Sequence, residues 1–407
     1  LRPIIAALDQ ERQVVIIRPT GEAQTLSLPA LSGGLWADWG RSPAAQMPWS
    51  WPTWSPDGRQ IAAFRIDGSE KPTSGREMAV QIFEAHGPRL GEAVEIFQVL
   101  DRLPIYLQWS VQGNAIAVLT QANDRLHLDH ARLDASLTTR TVAVGSPLFF
   151  TWTPQHRLAV FVGAPANTKS ESVGWGSGRI SVLDPEGRHA EIPLPGRPGN
   201  FCAPVAISDR VVYVAHDGAQ VAIVASAPGE GTPWSLEPVD GLVALLPAND
   251  GRHILRGIAP DGDGTPYRSI ARIDAITGVV DHIREAQALA FFPVGTEGGL
   301  LVARVNTARN LIEWDYHDPS GGIRTVGTCC PTRDFRFFLR FFEQFSQSHR
   351  IVDPVRRTVL LSGSPEDWNE ASRKPQIFEL NLDTGAVETI GLGFLGVYAP
   401  QTQGGAP

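Results

Sequence analysis

A hairpin with a tight polar turn recurs along this chain, and that recurrence restricts the available folds more than any bulk property does. The sharpest copy is WPTWSPDGRQIAAF at 51–64. Pro56 fixes φ, Asp57 can bond its own backbone, and Gly58 can take positive φ, so the segment turns between a short strand at Thr53–Trp54 and an apolar one at Ile61–Phe64. YLQWSVQGNAIAVL at 106–119 repeats it closely, and FTWTPQHRLAVFV at 150–162 keeps the Trp and the Pro. Weaker copies follow at 206–215, 245–257, 291–304 and 350–363, spaced by roughly 40 to 60 residues, the period range of propellers and other repeat arrays.

Each hairpin is followed by a second strand pair. QIFELNLDTGAVETIGL at 376–392 is the clearest, and IARIDAITGVVDHI at 270–283, ISVLDPEGRHAEIPL at 180–194 and QVVIIRPTGEAQTLSL at 13–28 are similar. The unit is therefore four antiparallel strands, a propeller blade. The first 28 residues supply only three strands, while GFLGVYAP at 393–400 is a lone apolar strand near the end. Letting the last strand complete the first blade would protect both edges. The expected fold is all-β, an eight-bladed propeller, with seven blades as the alternative count. The expected blades are 1–28 with 393–400, 51–97, 105–144, 148–194, 202–239, 242–284, 287–327 and 345–392, with 401–407 a flexible tail. Helical periodicity between strands is scarce, which argues against a doubly wound sheet.

TWSPDGRQIAAF is similar to the WD40-like repeat of TolB-type β-propellers, whose blades read Trp-Ser-Pro-Asp-Gly before an apolar strand. The resemblance is sharp at 53–64 and 108–119, with the Asp-Thr-Gly hairpin at 383–385 in support, and it spans the rest as a rhythm. An N-terminal α/β domain of the TolB kind is not evident. Families of this type are mostly bacterial envelope proteins that bind partners, so the resemblance implies a periplasmic or extracellular scaffold. The chain begins at Leu1, and with the resemblance this leads to the expectation of an exported protein with membrane association through a segment before Leu1.

Net charge is −8 with no long basic stripe, which speaks against nucleic-acid binding. No apolar run reaches the roughly 18–20 residues of a membrane span. The three cysteines, Cys202, Cys329 and Cys330, are too few for a disulfide framework, although the adjacent Cys329 and Cys330 could form a vicinal disulfide. No GxSxG, HExxH, P-loop or CxxCH is present, and no cofactor or metal is expected. Asp261 and Asp263 on a Gly-rich turn read as a hairpin turn rather than a calcium loop. His127 and His130 on one strand would face opposite sides.

Two stretches depart from the blade pattern. In 329–349, Phe338, Phe341, Phe342 and Phe345 follow i, i+3, i+4, i+7, with Arg336 and Arg340 beside them, which predicts a short helix. It would either cap the propeller with its phenylalanines buried or dock a partner or lipid. The loop 29–52 carries Trp36, Trp39, Trp49 and Trp51, a lid or a binding surface. The candidate partner-binding residues are Trp36, Trp39, Trp49, Arg336, Phe338, Arg340, Phe341, Phe342 and Phe345. The expected function is a non-enzymatic binding scaffold for protein partners, including the case of a subunit in a larger complex. The alternative is a propeller hydrolase or lyase with a polar or metal site at the central channel.

Overall fold

The computed structural model describes residues 2–10, 13–26, 51–67, 77–123, 125–134, 138–163, 178–199, 202–217, 220–260, 267–365 and 374–400. The tryptophans at 36, 39 and 49, the Asp261–Asp263 turn and the tail 401–407 lie outside the described residues.

The turn chemistry sets the local structure. Gly58 sits at φ 69° and donates its N–H to the Ser55 carbonyl at 2.9 Å, while Asp57 Oδ1 accepts from Ser55 Oγ and from the Arg59 N–H. The turn at 110–113 has the same bond, Gly113 N–H to the Ser110 carbonyl at 2.9 Å. These turns join strands of antiparallel four-stranded sheets that follow one another along the chain. Thr53–Trp54, Gln60–Asp67, Glu77–Glu84 and Ala93–Leu100 form one, Leu103–Trp109, Ala115–Ala122, Arg125–Arg132 and Thr139–Gly145 the next, and Leu148–Trp152, Leu158–Val162, Arg179–Leu183 and Ile192–Pro193 a third. In the following sheet the first strand is in two pieces, Arg197–Pro198 and Val205–Ile207. Both pair with Arg210–Asp217, and Gln220–Ser226 and Trp234–Pro238 complete the sheet.

Further on, two long strands are each shared between neighbouring groups. Val280–Val294 pairs through its first half with Tyr267–Asp274 and through its second with Gly299–Asn306, with register shifts between. Ile323–Pro331 pairs with Leu311–His317 up to Cys329 and with Thr358–Ser364 from Cys330. Gln376–Asn381 and Val387–Leu392 follow, and the last strand, Leu395–Tyr398, pairs antiparallel with Ile5–Leu8, placing Val397 opposite Ala6. This succession of up-and-down four-stranded sheets is β-propeller architecture.

The recurrent Trp acquires a role that no single hairpin could give it. Trp109 Nε1 donates to the Thr53 carbonyl at 3.0 Å, Trp152 Nε1 to the Gln108 carbonyl at 3.2 Å, and Trp54 Nε1 to the Val397 carbonyl at 3.3 Å. Each indole thus bonds an edge strand of a neighbouring sheet, satisfying a buried donor while fastening sheet to sheet. Apolar clusters fill the gaps between neighbours. Phe64 and Val80 meet Leu107, Ile116 and Val118, while Ile5, Ile17 and Tyr398 of the first sheet meet Leu360 and Ile377 of the last. Glu379, buried among these strands, accepts from Arg356, Arg2 and the Tyr398 hydroxyl, a charge-assisted network that ties both chain ends to the last sheet. Among the described residues, no helix is long and apolar enough to cross a membrane.

Cys329 and Cys330 form no disulfide, and all three cysteines are buried thiols. Strand geometry gives the reason. The two residues are consecutive in one strand, so their side chains leave on opposite faces, Cys329 into the main core and Cys330 against Leu311. The vicinal bridge that the adjacent cysteines could form would require leaving that strand conformation.

Candidate functional site

The last sheet carries an insertion within its first strand. Cys330–Pro331 and Val352–Asp353 both pair with Thr358–Ser364, and residues 332–351 between them leave the sheet. They form helix α1, Arg333–Arg340, and helix α2, Phe342–Phe345. Thr332 caps α1 by accepting from the Phe335 N–H at 3.0 Å and donates its own hydroxyl to the Phe394 carbonyl at 2.7 Å, with Asp334 in the first turn. Phe341 leaves helical geometry at φ −124°, which separates the two helices.

The inner face of this insertion is dominated by aromatic rings. Phe335, Phe338 and Phe342 are 0% exposed and Phe345 is 1% exposed. Phe335 stacks on Trp314, Phe338 on Phe292, Phe342 meets Phe291 and Tyr267, and Phe345 meets Tyr106 and Trp51. Trp314, Phe292, Phe291 and Tyr267 lie in one extended sheet and Tyr106 in the strand Leu103–Trp109, so the insertion packs between distant parts of the chain. Trp51 is drawn into the same packing, donating Nε1 to Asp334 Oδ1 at 3.2 Å. Of the expected partner-binding phenylalanines, Phe338, Phe342 and Phe345 are therefore inside the molecule. They serve the core because this face meets rings from distant parts of the chain. Among the described residues, no group of three His, Cys, Asp or Glu could hold a metal ion.

Two titratable side chains are locked into this packing. Burial pushes the Glu343 carboxyl up to about 7, and its Oε2 has no hydrogen-bond partner among the described residues. Its charged form would also disfavour the thiolate of Cys202 and the phenolate of Tyr267, both already pushed up by burial. His349 is lowered to about 4 by burial, edge-on to Trp51, with Nε2 3.3 Å from Thr53 Oγ1 and Nδ1 2.8 Å from Ser348 Oγ. At neutral pH the imidazole is uncharged.

The outer face of α1 is different. Arg333, Arg336 and Arg340 are exposed, and Phe337 and Phe341 are half-buried between them, at i, i+3, i+4, i+7 and i+8. The Phe337 and Phe341 rings lie 4.9 Å apart, and the Arg340 guanidinium lies 5.9 Å from the Phe341 ring centroid. Arg336, Arg340 and Phe341, marked by the sequence, are thus brought together on one accessible face. Arg333 and Phe337 were missed, although both sit at helical spacing from them.

No protein-family model matches the chain, and no curated protein matches it. Solved structures do. A dipeptidyl peptidase 4 of Porphyromonas gingivalis superposes with a TM-score of 0.55 at 10% identity, over 96% of this chain and 59% of that one. A prolyl endopeptidase gives 0.51 at 15%, over 90% and 54%, and TolB from Acinetobacter baumannii gives 0.40 at 14%, over 79% and 63%. This chain spans less than two thirds of the length of each of these structures. At such identities the likeness speaks to fold alone, and membership of the TolB family is not shown. The expectation of a non-enzymatic protein does not stand, because solved structures that share this fold include peptidases. The chain is an all-β protein of the propeller fold, and that fold by itself fixes no function.

Proposed function

We propose that this chain is a protein-binding propeller of eight blades, closed by its C-terminal strand, which receives a partner on the outer face of α1. The observation that carries this reading is the pairing of Arg333, Arg336 and Arg340 with the half-buried Phe337 and Phe341 on a helix whose opposite face is fixed in the core. A helix held this way loses little freedom on binding, and arginine beside aromatic rings is the composition of interface hot spots. Three exposed cations select an acidic partner segment. The blade count is supported by five sheets of four or five strands and one of eleven, which divides at its two long shared strands into three further groups, and the closure by the pairing of Ile5–Leu8 with Leu395–Tyr398. Residence in the cell envelope belongs to the same proposal, with the tryptophans at 36, 39 and 49 as further contacts.

The test is co-purification from the native cell followed by cross-linking from position 340. A stoichiometric partner that cross-links there through an acidic segment, and is lost from the double variant Arg336→Glu/Arg340→Glu at unchanged melting temperature, supports the reading. A partner retained by that variant overturns it. Cell fractionation reads the location separately.

A further inference from the structure

A pocket of about 480 Å³ opens between the second and third of the sheets described above, at the end bearing the turns near 110–115, 152–157 and 184–189. His130 and Trp152 line it, with their rings edge-on at 5.9 Å. Its size lies within the range of small-molecule sites.

Most of its charge is compensated from within. Arg132 pairs with Asp134 and Glu186, and Arg188 pairs with Glu186. Asp184 accepts the backbone N–H groups of Glu186 and His189 at 3.0 and 2.9 Å, which helps hold its carboxyl low against the opposing effect of desolvation. Three groups remain over. Neither ring nitrogen of His130 has a hydrogen-bond partner among the described residues, although the residue is only 4% exposed. The Arg157 guanidinium, half-buried at the rim, makes no ion pair among them. His156 Nδ1 is buried with no partner among the described residues.

The His130 ring nitrogens are not among the buried unpartnered atoms and the residue lines the pocket, so they are open to whatever enters it. Burial and nearby arginines lower His130, with neighbouring carboxylates acting the other way, so at neutral pH it offers one donor and one acceptor, as a hydroxyl requires. Arg157 supplies the one cation not already satisfied. Asp134, Asp184 and Glu186 around it oppose a dianion and favour a single negative charge. The Trp152 ring offers an apolar wall for C–H groups.

We propose that this pocket binds a small hydroxylated monocarboxylate of the sugar-acid class, with Arg157 on the carboxylate and His130 on a hydroxyl beside Trp152. The site is independent of the partner surface on α1.

Calorimetric titration of the whole chain with glucuronate, glucose and inorganic phosphate tests it. Glucuronate should bind, and glucose should bind at least about tenfold more weakly for want of the charge-assisted bond. Arg157→Ala and His130→Ala should each weaken glucuronate by about tenfold or more. No glucuronate binding at millimolar concentration, glucose or phosphate binding equally well, or affinity unchanged in Arg157→Ala would each overturn the assignment. Arg157 lies at the rim, so its variant decides the matter even if His130→Ala fails to fold.

Discussion

His349 and His130 are buried almost equally, at 2% and 4% exposure, and the environment lowers the proton affinity of both. Their surroundings differ. His349 is enclosed by Trp51 and Phe345 and has Thr53 and Ser348 within reach, so it completes a packed interior. His130 touches one ring, has no hydrogen-bond partner among the described residues, and borders a cavity. Depth of burial therefore does not separate a structural histidine from a candidate ligand group. The separation comes from whether the protein itself meets the ring's donor and acceptor. On α1 the division is one of exposure, with the inner phenylalanines buried and the outer arginines exposed.

If the insertion at 332–351 is core, its inner face should be the least tolerant place in the molecule. Phe342→Ala should cost about 3–5 kcal/mol in chemical denaturation, the sum of lost transfer energy and the cavity left. A loss under 1 kcal/mol would mean the insertion is a loose cover.

The two buried titrating groups sharpen the picture with opposite signs. Glu343 binds its proton more tightly folded than unfolded, its carboxyl moving from 4.5 to about 7. Its contribution is full below pH 4.5 and is lost as pH rises through about 7, on the order of 3 kcal/mol at 1.36 kcal/mol per unit. Glu343→Gln should therefore gain on the parent chain across that window. His349 moves the other way, from 6.5 to about 4, so its contribution is present above pH 6.5 and fades as pH falls through about 4, again on the order of 3 kcal/mol. His349→Gln should flatten the acid limb of the stability curve. Parallel curves for parent and variants would place either group in contact with water.

Trp109→Phe keeps the ring and removes the donor to Thr53, with an expected loss of about 1 kcal/mol, read as a fall in the denaturation midpoint with unchanged slope. The smallest effect should come from the outer face of α1, where Arg336→Glu and Arg340→Glu should each change stability by less than about 0.5 kcal/mol. A larger loss would show that these arginines belong to the core they cover.

Much of the sheet architecture is legible from local chemistry. The Ser-Pro-Asp-Gly turn at 55–58 and the Asp-Thr-Gly turn at 383–385 form as their residue types require, with Gly58 and Gly385 both at positive φ. The helix is legible from the phenylalanine spacing, but its orientation is not. The sequence includes Phe341 in the apolar stripe and omits Phe335, whereas Phe335 is fully buried and Phe341 half-buried. Which stripe faces inward depends on where Trp314, Phe292 and Trp51 arrive from distant parts of the chain. The His130 pocket leaves no local signature either, since its lining comes from the ends of two sheets.

The sequence by itself determined the strand-turn-strand rhythm, the four-strand unit and the presence of a helix within 329–349, because turns, alternation and helical period depend on neighbours a few residues apart. Only the tertiary structure decided that each recurrent Trp bonds the preceding sheet, that the helix turns its phenylalanines inward and its arginines out, and that His130 is left without a partner. Those outcomes depend on contacts between residues as far apart as Trp51 and Asp334, and separation of that kind carries no pattern a single sequence displays.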